Sequence, residues 1–163
     1  MELIVAVSRD WGIGKNGDLL FSIPEDMKLF RTTTQGKTVV MGRKTLESLP
    51  GGRPLKNRRN IVLTRDADLQ VEGAEVCHTP EEVRAAVAGE PGDRVIVMGG
   101  AQIYRLLLDD CDKAYVTKVD ASAEADSFFP NLDALDGWRL DSQSEEKEHE
   151  GLRYRFCTYV RVK

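Results

Sequence analysis

The sequence contains few of the residues that form disulfide frameworks and metal centres. Its 163 residues include three cysteines and two histidines. Cys77, Cys111 and Cys157 are scattered and form no C-x-x-C pair, which excludes the usual disulfide and zinc motifs and suits a reducing compartment. His78 and His149 are too few for most imidazole metal sites, and His149 lies in a polar run that is typical of a surface loop. We therefore expect no bound metal.

Long hydrophobic runs and a net positive charge are also missing. The apolar run at residues 3–7 is short and no basic segment precedes it, so it predicts neither a signal peptide nor a membrane span. The formal net charge of −4 argues against general affinity for nucleic acid or for acidic membranes. We expect a cytoplasmic protein with neither kind of partner.

The sequence has the composition and patterning of one α/β domain spanning residues 1–163. Hydrophobic residues make up 41% and charged residues 31% of the chain, an ordinary globular balance. Short β-branched runs predict strands at residues 3–8, 38–41, 60–64, 75–78, 94–98 and 113–119. Helices are predicted from Pro24 to about Thr34, near Arg43, after the capping box that begins at Thr79, and over residues 101–108.

Two patterns indicate how these strands are arranged. Continuous apolar runs such as residues 95–98 indicate strands covered on both faces by helices. Residues 138–144 and 152–162, joined by a charged turn, predict a C-terminal antiparallel hairpin. The expected fold is a mixed, mostly parallel sheet of about eight strands with four flanking helices.

A long segment, residues 9–23, separates the first predicted strand from the first helix. It contains Gly12, Gly14 and Gly17, with Asn16 and Asp18 between them. A loop of this length in a small domain is a candidate lid over a site. A mobile surface connection is the alternative.

Three predicted strands end in residues that could hold phosphate, and two of them lead through glycine into helices. Ligands gather at the carboxyl ends of strands in open α/β sheets, and free N–H groups at helix starts bind phosphate. No G-x-G-x-x-G or P-loop motif is present. The cations suggest a ligand with several separated phosphates, such as a nicotinamide dinucleotide with a 2′-phosphate, whereas simple helix capping is the alternative. The residues concerned are Gly42, Arg43, Lys44, Thr45, Thr64, Arg65, Gly99 and Gly100.

Asp26 lies one turn into the first predicted helix. An acid there is commonly only a partner of the helix dipole. Phe30 shares its face and Met27 lies beside it. If that face turns inward, burial would raise the pKa of Asp26, as suits a group that anchors and helps protonate a heterocycle.

A basic segment contains Arg53, Lys56, Arg58 and Arg59. No interleaved aromatics are present to stack bases, which disfavours a nucleic-acid patch. A solvated loop remains possible. So does an arginine that clamps a substrate carboxylate through two parallel hydrogen bonds.

Eight short motifs follow one another along essentially the whole chain. They are WGIGKNG from Trp11, IPEDM from Ile23 with Phe30, VVMGRKT from Val39, GRPL from Gly52, RNIVLTR from Arg59, MGGAQIY from Met98, YVT from Tyr115 and a D-x-x-F-P segment from Asp126. Their order and spacing make the set specific, and together they resemble the dihydrofolate reductase family.

The resemblance implies an NADPH-dependent oxidoreductase that reduces 7,8-dihydrofolate to tetrahydrofolate for one-carbon metabolism. Hydride would pass to C6 and a proton to N5 of the substrate. It also implies a cytoplasmic monomer that is a target of antifolates. Asp26 would be the only ionisable group in the pterin pocket, with Thr117, Leu20 and Phe21 at the same centre.

The resemblance further assigns residues to the substrate. Arg58 would clamp the glutamate α-carboxylate of folate, with Arg53 nearby, and Ile4 would offer its carbonyl. The full implied set is Ile4, Val5, Ala6, Met27, Phe30, Leu49, Arg53, Leu55, Arg58 and Tyr104.

A larger set is assigned to NADPH. The cations and threonines named above would hold its 2′-phosphate and pyrophosphate, and His78 would lie near the adenine. Gly99 and Gly100 would be joined by a cis peptide. The implied set is Ala6, Ile13, Gly14, Asn16, Gly17, Asp18, Gly42, Arg43, Lys44, Thr45, Thr64, Arg65, His78, Met98, Gly99, Gly100, Ala101, Gln102, Ile103 and Tyr104.

Two segments depart from the family's pattern. Leu20 and Phe21 stand where many members have proline and tryptophan. Phe21 has no indole N–H to hold a water, and Leu20 lacks the fixed φ of proline, which predicts a more mobile loop. Residues 53–58 also lack the frequent proline–glycine before the clamp arginine, which puts the geometry of the loop around Arg58 in question.

Two other functions fit parts of the pattern. A pyrimidine reductase of the riboflavin pathway would use NADPH but would need neither the Asp26–Phe30 pocket nor a carboxylate clamp. A non-catalytic NADP-binding module would keep the cations and gain nothing from Asp26.

Overall fold

The apolar runs of the sequence form one mixed β-sheet with helices packed against it. The computed structural model describes residues 1–162, which contain twelve strands and four α-helices. The strands are β1 (Glu2–Val7), β2 (Gly12–Lys15), β3 (Asp18–Leu19), β4 (Thr38–Gly42), β5 (Arg59–Leu63), β6 (Ala74–Cys77), β7 (Val95–Gly99), β8 (Lys113–Val119), β9 (Ser127–Phe128), β10 (Trp138–Gln143), β11 (Lys147–His149) and β12 (Leu152–Arg161). The helices are α1 (Pro24–Thr34), α2 (Arg43–Ser48), α3 (Pro80–Ala86) and α4 (Ala101–Leu107).

Nine of the strands within residues 1–162 build the central sheet. Their order is β10-β12-β8-β1-β7-β4-β5-β6, and β11 pairs with β12. The neighbours from β8 through β6 are parallel, whereas β12 runs antiparallel to β8, β10 and β11. The predicted mixed, mostly parallel sheet with antiparallel C-terminal strands is confirmed.

The core lies on both faces of the central strands. All five residues of β4 are buried. Because side chains alternate along a strand, Val39 and Met41 join one apolar cluster and Val40 joins the other. Covering both faces explains why these strands have nearly continuous apolar sequences.

The predicted helix starts coincide with the observed ones. Helix α1 has Pro24 in its first turn, and α3 is capped by Thr79, whose hydroxyl oxygen accepts from the Glu82 N–H at 3.1 Å. The Glu82 carboxylate in turn accepts from the N–H of His78, the residue before the cap. No helix within residues 1–162 has both the length and the apolar character needed to cross a bilayer.

Two connections contain more structure than the sequence predicts. Residues 9–23 include β2 and β3, which form a small antiparallel sheet with β9 in the order β3-β2-β9. The prediction of one long loop there was wrong, because glycine-rich strands this short have no apolar alternation to mark them. The charged turn between residues 144 and 152 similarly contains β11, which pairs with β12.

Candidate active site

A carboxylate and a hydroxyl meet between the first helix and the sheet. Asp26 lies in the first turn of α1, and its Oδ1 accepts a hydrogen bond from Thr117 Oγ1 at 2.6 Å. Thr117 belongs to β8 and is paired in register with Ala6 of β1. Ile23, just before α1, is 2% exposed and packs against residues of β8 and β12. This packing holds the start of α1 beside the carboxyl ends of β1 and β8.

The surroundings of Asp26 oppose its ionisation. The residue is half-buried, and this burial raises the pKa of its carboxyl, while the hydrogen bond from Thr117 offsets part of that rise. Desolvation disfavours the charged form, whereas a donor to the carboxylate favours it. A half-buried carboxylate with one fixed donor has acceptor capacity left for a ligand that offers N–H groups.

Apolar residues neighbour Asp26 along the chain. Met27 is 42% exposed, and Phe21 is half-buried against the Ile23 cluster. Leu20 is also half-buried. The remaining side chains expected around the pocket are buried or half-buried; they are Ile4, Val5, Ala6, Phe30, Leu49 and Leu55.

Tyr104 connects the two sides of the cleft. Its ring is buried in α4, and its hydroxyl donates to the carbonyl oxygen of Ile4 in β1 at 2.6 Å. The Ile4 carbonyl therefore already has one partner, and its second lone pair is the one available to a ligand.

Arg58 makes three hydrogen bonds, two of them to the end of α1. Its Nε donates to Thr34 Oγ1 at 2.8 Å, and its terminal nitrogens donate to the carbonyl oxygens of Lys56 at 2.6 Å and Arg31 at 3.3 Å. Burial lowers the pKa of its guanidinium. Asn57 adopts φ +60, a left-handed conformation that asparagine tolerates better than most residues. The departure at residues 53–58 therefore still makes a tight turn before Arg58.

The basic segment contains two further arginines, which differ in exposure and in partners. Arg53 is exposed. Arg59 of β5 forms ion pairs with Glu75 of β6 and with Glu90, which follows α3. Within the described residues, the structure therefore separates Arg58, held at the end of α1, from a structural Arg59.

The two glycine junctions lie side by side. Met41 at the end of β4 is paired with Gly99 at the end of β7, and the Gly99–Gly100 peptide is cis, as the resemblance implies. A Cβ on Gly42 would lie 2.9 Å from Ile103 Cγ1, and one on Gly100 would lie 3.7 Å from Thr45 Oγ1. Neither helix start has a side-chain cap, which leaves first-turn N–H groups for a ligand.

The cations expected to meet a phosphate are exposed at the same edge of the sheet. Lys44 and Arg65 are exposed, and Arg43 donates to Asp66 Oδ2 at 2.9 Å. Thr64 is half-buried, and its carbonyl oxygen lies 3.0 Å from Nδ1 of the half-buried His78. These side chains lie just after the carboxyl ends of the neighbouring parallel strands β4, β5 and β6.

The segment 9–23 is fastened to the segment around β9. The N–H of Asn16 donates to Asp126 Oδ2 at 2.9 Å, and the N–H of Asp126 donates to the carbonyl oxygen of Gly14 at 3.0 Å. Ile13 is 9% exposed, whereas Gly17 and Asp18 are exposed at its tip.

The rest of the expected cofactor set belongs to the β7–α4 junction. Ile103 is buried and Gln102 is exposed, whereas Met98 and Ala101 are half-buried.

Sequence reasoning missed three residues that organise this site. Tyr154 donates to Glu25 Oε2 at 2.8 Å, and Lys147 lies 3.3 Å from Oε1 of the same carboxylate. Both donors, Tyr154 first, lower the pKa of Glu25. Asp66 contacts Arg43 across 23 residues of sequence. Contacts between distant segments leave no local pattern, although two acids directly at the start of α1 were a signal that one of them has a structural partner.

Comparison with known proteins adds to the geometry. A family model described as dihydrofolate reductase matches residues 1–161. The dihydrofolate reductase of Neisseria meningitidis serogroup B is 41% identical over 162 residues, which cover 99% of this chain and 98% of that protein. The dihydrofolate reductase of Mycobacterium tuberculosis is 39% identical over 163 residues, covering 98% of this chain and 96% of that protein.

A solved structure is similar over nearly the same length. It is described as dihydrofolate reductase from Enterococcus faecalis complexed with NADP(H) and RAB-propyl. Its TM-score is 0.88 and its sequence is 34% identical, with 99% of this chain and 96% of that chain covered.

Proposed function

Because the chain belongs to the dihydrofolate reductase family, we propose that the cleft at Asp26 reduces 7,8-dihydrofolate to 5,6,7,8-tetrahydrofolate with NADPH. The observation that carries this proposal is the half-buried Asp26 carboxylate, which accepts a hydrogen bond from Thr117 at 2.6 Å. The pyrimidine reductase and the non-catalytic binding module have no support, since the family model and the relatives are dihydrofolate reductases.

The residues at the other edge of the cleft fit NADPH. Glycine at position 42 lets the end of β4 pack closely against α4, because a Cβ there would lie 2.9 Å from Ile103 Cγ1. This close packing brings the starts of α2 and α4 together. Arg43, Lys44 and Arg65 supply positive charge for the 2′-phosphate, and the uncapped starts of α2 and α4 supply N–H donors for the pyrophosphate. When bound, NADPH supplies the hydride that C6 of the substrate receives.

Asp26 anchors the pterin and raises its basicity. Its free acceptor positions take N–H groups from the 2-amino group and a ring nitrogen. The negative charge, held in a partly desolvated position, stabilises a proton on N5. A water molecule delivers that proton, so the chain contributes position and charge rather than a direct proton donor.

Arg58 recognises the far end of the substrate. A guanidinium has five N–H groups, of which three are taken by Thr34, Lys56 and Arg31. One N–H remains on each terminal nitrogen, and this pair matches the two oxygens of the glutamate α-carboxylate. The bonds to α1 hold the guanidinium in place before the substrate arrives.

We further propose that the enzyme is a cytoplasmic monomer that supplies one-carbon metabolism and binds antifolates in this cleft. The same Asp26 carboxylate that accepts N–H groups from a pterin would accept them from a diaminopyrimidine-type inhibitor.

The test is a direct assay. Purified protein is mixed with NADPH and 7,8-dihydrofolate, and the nicotinamide absorbance is followed. We expect a loss of absorbance that requires dihydrofolate and that methotrexate blocks. Absorbance that stays constant although NADPH binds would refute the proposed substrate.

A further inference from the structure

Asp66 lies beside the arginine that is expected to meet the cofactor's 2′-phosphate. Its Oδ2 is 2.9 Å from a terminal nitrogen of Arg43. Strands β4 and β5 are parallel neighbours, with Gly42 and Leu63 in register. Arg43 directly follows β4 and Asp66 closely follows β5, so the sheet itself brings the two side chains together.

The Asp66 carboxylate is fixed in this position by its own turn. The N–H of Asp68 donates to Asp66 Oδ1 at 3.0 Å, and the N–H of Asp66 donates to Thr64 Oγ1 at 3.2 Å. Moving the carboxylate away from Arg43 would break the first of these bonds. A ligand that reaches Arg43 therefore meets the negative charge of Asp66 as well.

A carboxylate and a phosphate have opposite requirements at this place. In dinucleotide-binding α/β folds, an acidic residue after a strand accepts a hydrogen bond from the ribose 2′-hydroxyl of NAD, whereas an arginine binds the 2′-phosphate of NADP. This chain places both kinds of residue in contact. A bound 2′-phosphate would contact Arg43 together with Asp66, and the negative charge of Asp66 would repel the phosphate.

We propose that Asp66 determines cofactor specificity by opposing the 2′-phosphate, so that the preference for NADPH over NADH is smaller than the nearby cations alone would give. This inference rests on the proposed function, which places the 2′-phosphate at Arg43. Both side chains are about half exposed, 48% for Arg43 and 39% for Asp66, so solvent screens the repulsion and the effect is moderate.

The test compares the binding of NADP⁺ and NAD⁺ by calorimetry, which requires no turnover. Asp66→Asn removes the charge and keeps an oxygen that can accept from the Asp68 N–H. Asp68→Asn is the matched control, because it removes the same charge from an exposed residue two positions away. We expect Asp66→Asn to tighten NADP⁺ binding about fivefold without tightening NAD⁺ binding. Asp68→Asn should change either affinity by less than about twofold.

The outcomes separate the two proposals. Equal effects of Asp66→Asn and Asp68→Asn, or equal tightening of NADP⁺ and NAD⁺, would refute the role of Asp66. Weaker NADP⁺ binding by Asp66→Asn would also refute it, since Asp66 would then serve to hold Arg43 for the phosphate. If the wild-type protein binds NADP⁺ no more tightly than NAD⁺ and Asp66→Asn changes neither, the placement of the 2′-phosphate is wrong as well.

Discussion

At the scale of the single residue, the chemistry of the cleft depends on a carboxylate whose ionisation is opposed by burial and supported by one hydroxyl. We expect Asp26→Asn to lower kcat/KM at neutral pH by about two to three orders of magnitude, because the amide no longer stabilises a proton on the pterin. Part of the activity should return in acid, where the substrate arrives protonated. The measurement is the pH profile of kcat/KM, with the exposed Asp93→Asn as control. Unchanged turnover at neutral pH would contradict the role of Asp26.

The same carboxylate should reduce the stability of the fold at neutral pH. Burial raises the pKa of Asp26 in the folded chain above its ordinary value. The folded state therefore binds this proton more tightly than the unfolded chain does. The stabilisation of the fold that results is fully present below the ordinary pKa of the unfolded chain, and it is lost as the pH rises through the raised pKa of the folded chain. Asp26→Asn should therefore increase the free energy of unfolding at neutral pH, with no gain in strong acid. Urea titrations at both pH values measure this, and a gain of the same size in acid would argue against it.

The exposed cations at the cofactor edge define another expectation for single residues. Replacing both Lys44 and Arg65 by alanine should greatly reduce the preference for NADPH over NADH, because two of the three cations expected at the 2′-phosphate are lost and only Arg43 remains. The ratio of kcat/KM for the two cofactors is the readout. Arg153→Ala removes an exposed cation from β12, far along the sheet order from the proposed phosphate edge, and should leave the ratio as it was. A preference that the double substitution leaves unchanged would mean that the 2′-phosphate binds elsewhere.

At the scale of the element, α1 carries the substrate groups and is fastened at both ends. Tyr154 of β12 bonds Glu25 in its first turn, and Arg58 bonds Thr34 and the Arg31 carbonyl in its last. We expect Tyr154→Phe to reduce kcat about three- to tenfold by loosening the start of the helix next to Asp26. Tyr115→Phe removes a similar bond, to Glu2 at the start of β1, and should leave kcat nearly unchanged. Equal losses in the two variants would point to general destabilisation.

Most elements of the fold could be predicted from the sequence because their signals are local. The apolar run of β4, Pro24 at the start of α1 and the cap at Thr79 all lie within one element. Strands β2 and β3 could not be predicted, because their short glycine-rich hairpin has no apolar alternation. The pairing of β2 with β9, more than a hundred residues further along the chain, also leaves no local pattern.

The candidate site shows the same limit. The resemblance named Asp26, Thr117 and the glycine pair as site residues, and the structure brings Asp26 and Thr117 into contact. The contact between Arg43 and Asp66 follows only from the parallel pairing of β4 and β5, and the bond from Tyr154 to Glu25 only from the position of β12. Contacts of this kind can be predicted only once the pairing and register of the strands are known.

At the scale of the whole molecule, the reactivity of the three cysteine thiols measures global unfolding. Cys77, Cys111 and Cys157 are free and buried, and burial raises the pKa of Cys111 to about 12. Thiolate is the reactive form, so the native protein should resist an aromatic disulfide reagent at neutral pH. All three thiols should react together once denaturant unfolds the chain. Rapid labelling of one thiol in the native state would reveal a local opening instead.

The position of β1 between β7 and β8 has a consequence for the growing chain. Two strands that occur much later in the sequence flank one that is synthesised near the beginning. Thr117 can reach Asp26 only after β8 has left the ribosome and docked beside β1. A nascent chain that lacks β8 therefore exposes the apolar strand β1, and its Asp26 has no hydroxyl partner. We expect activity to appear in a single late step of synthesis, and chaperones to bind the exposed β1 until that step.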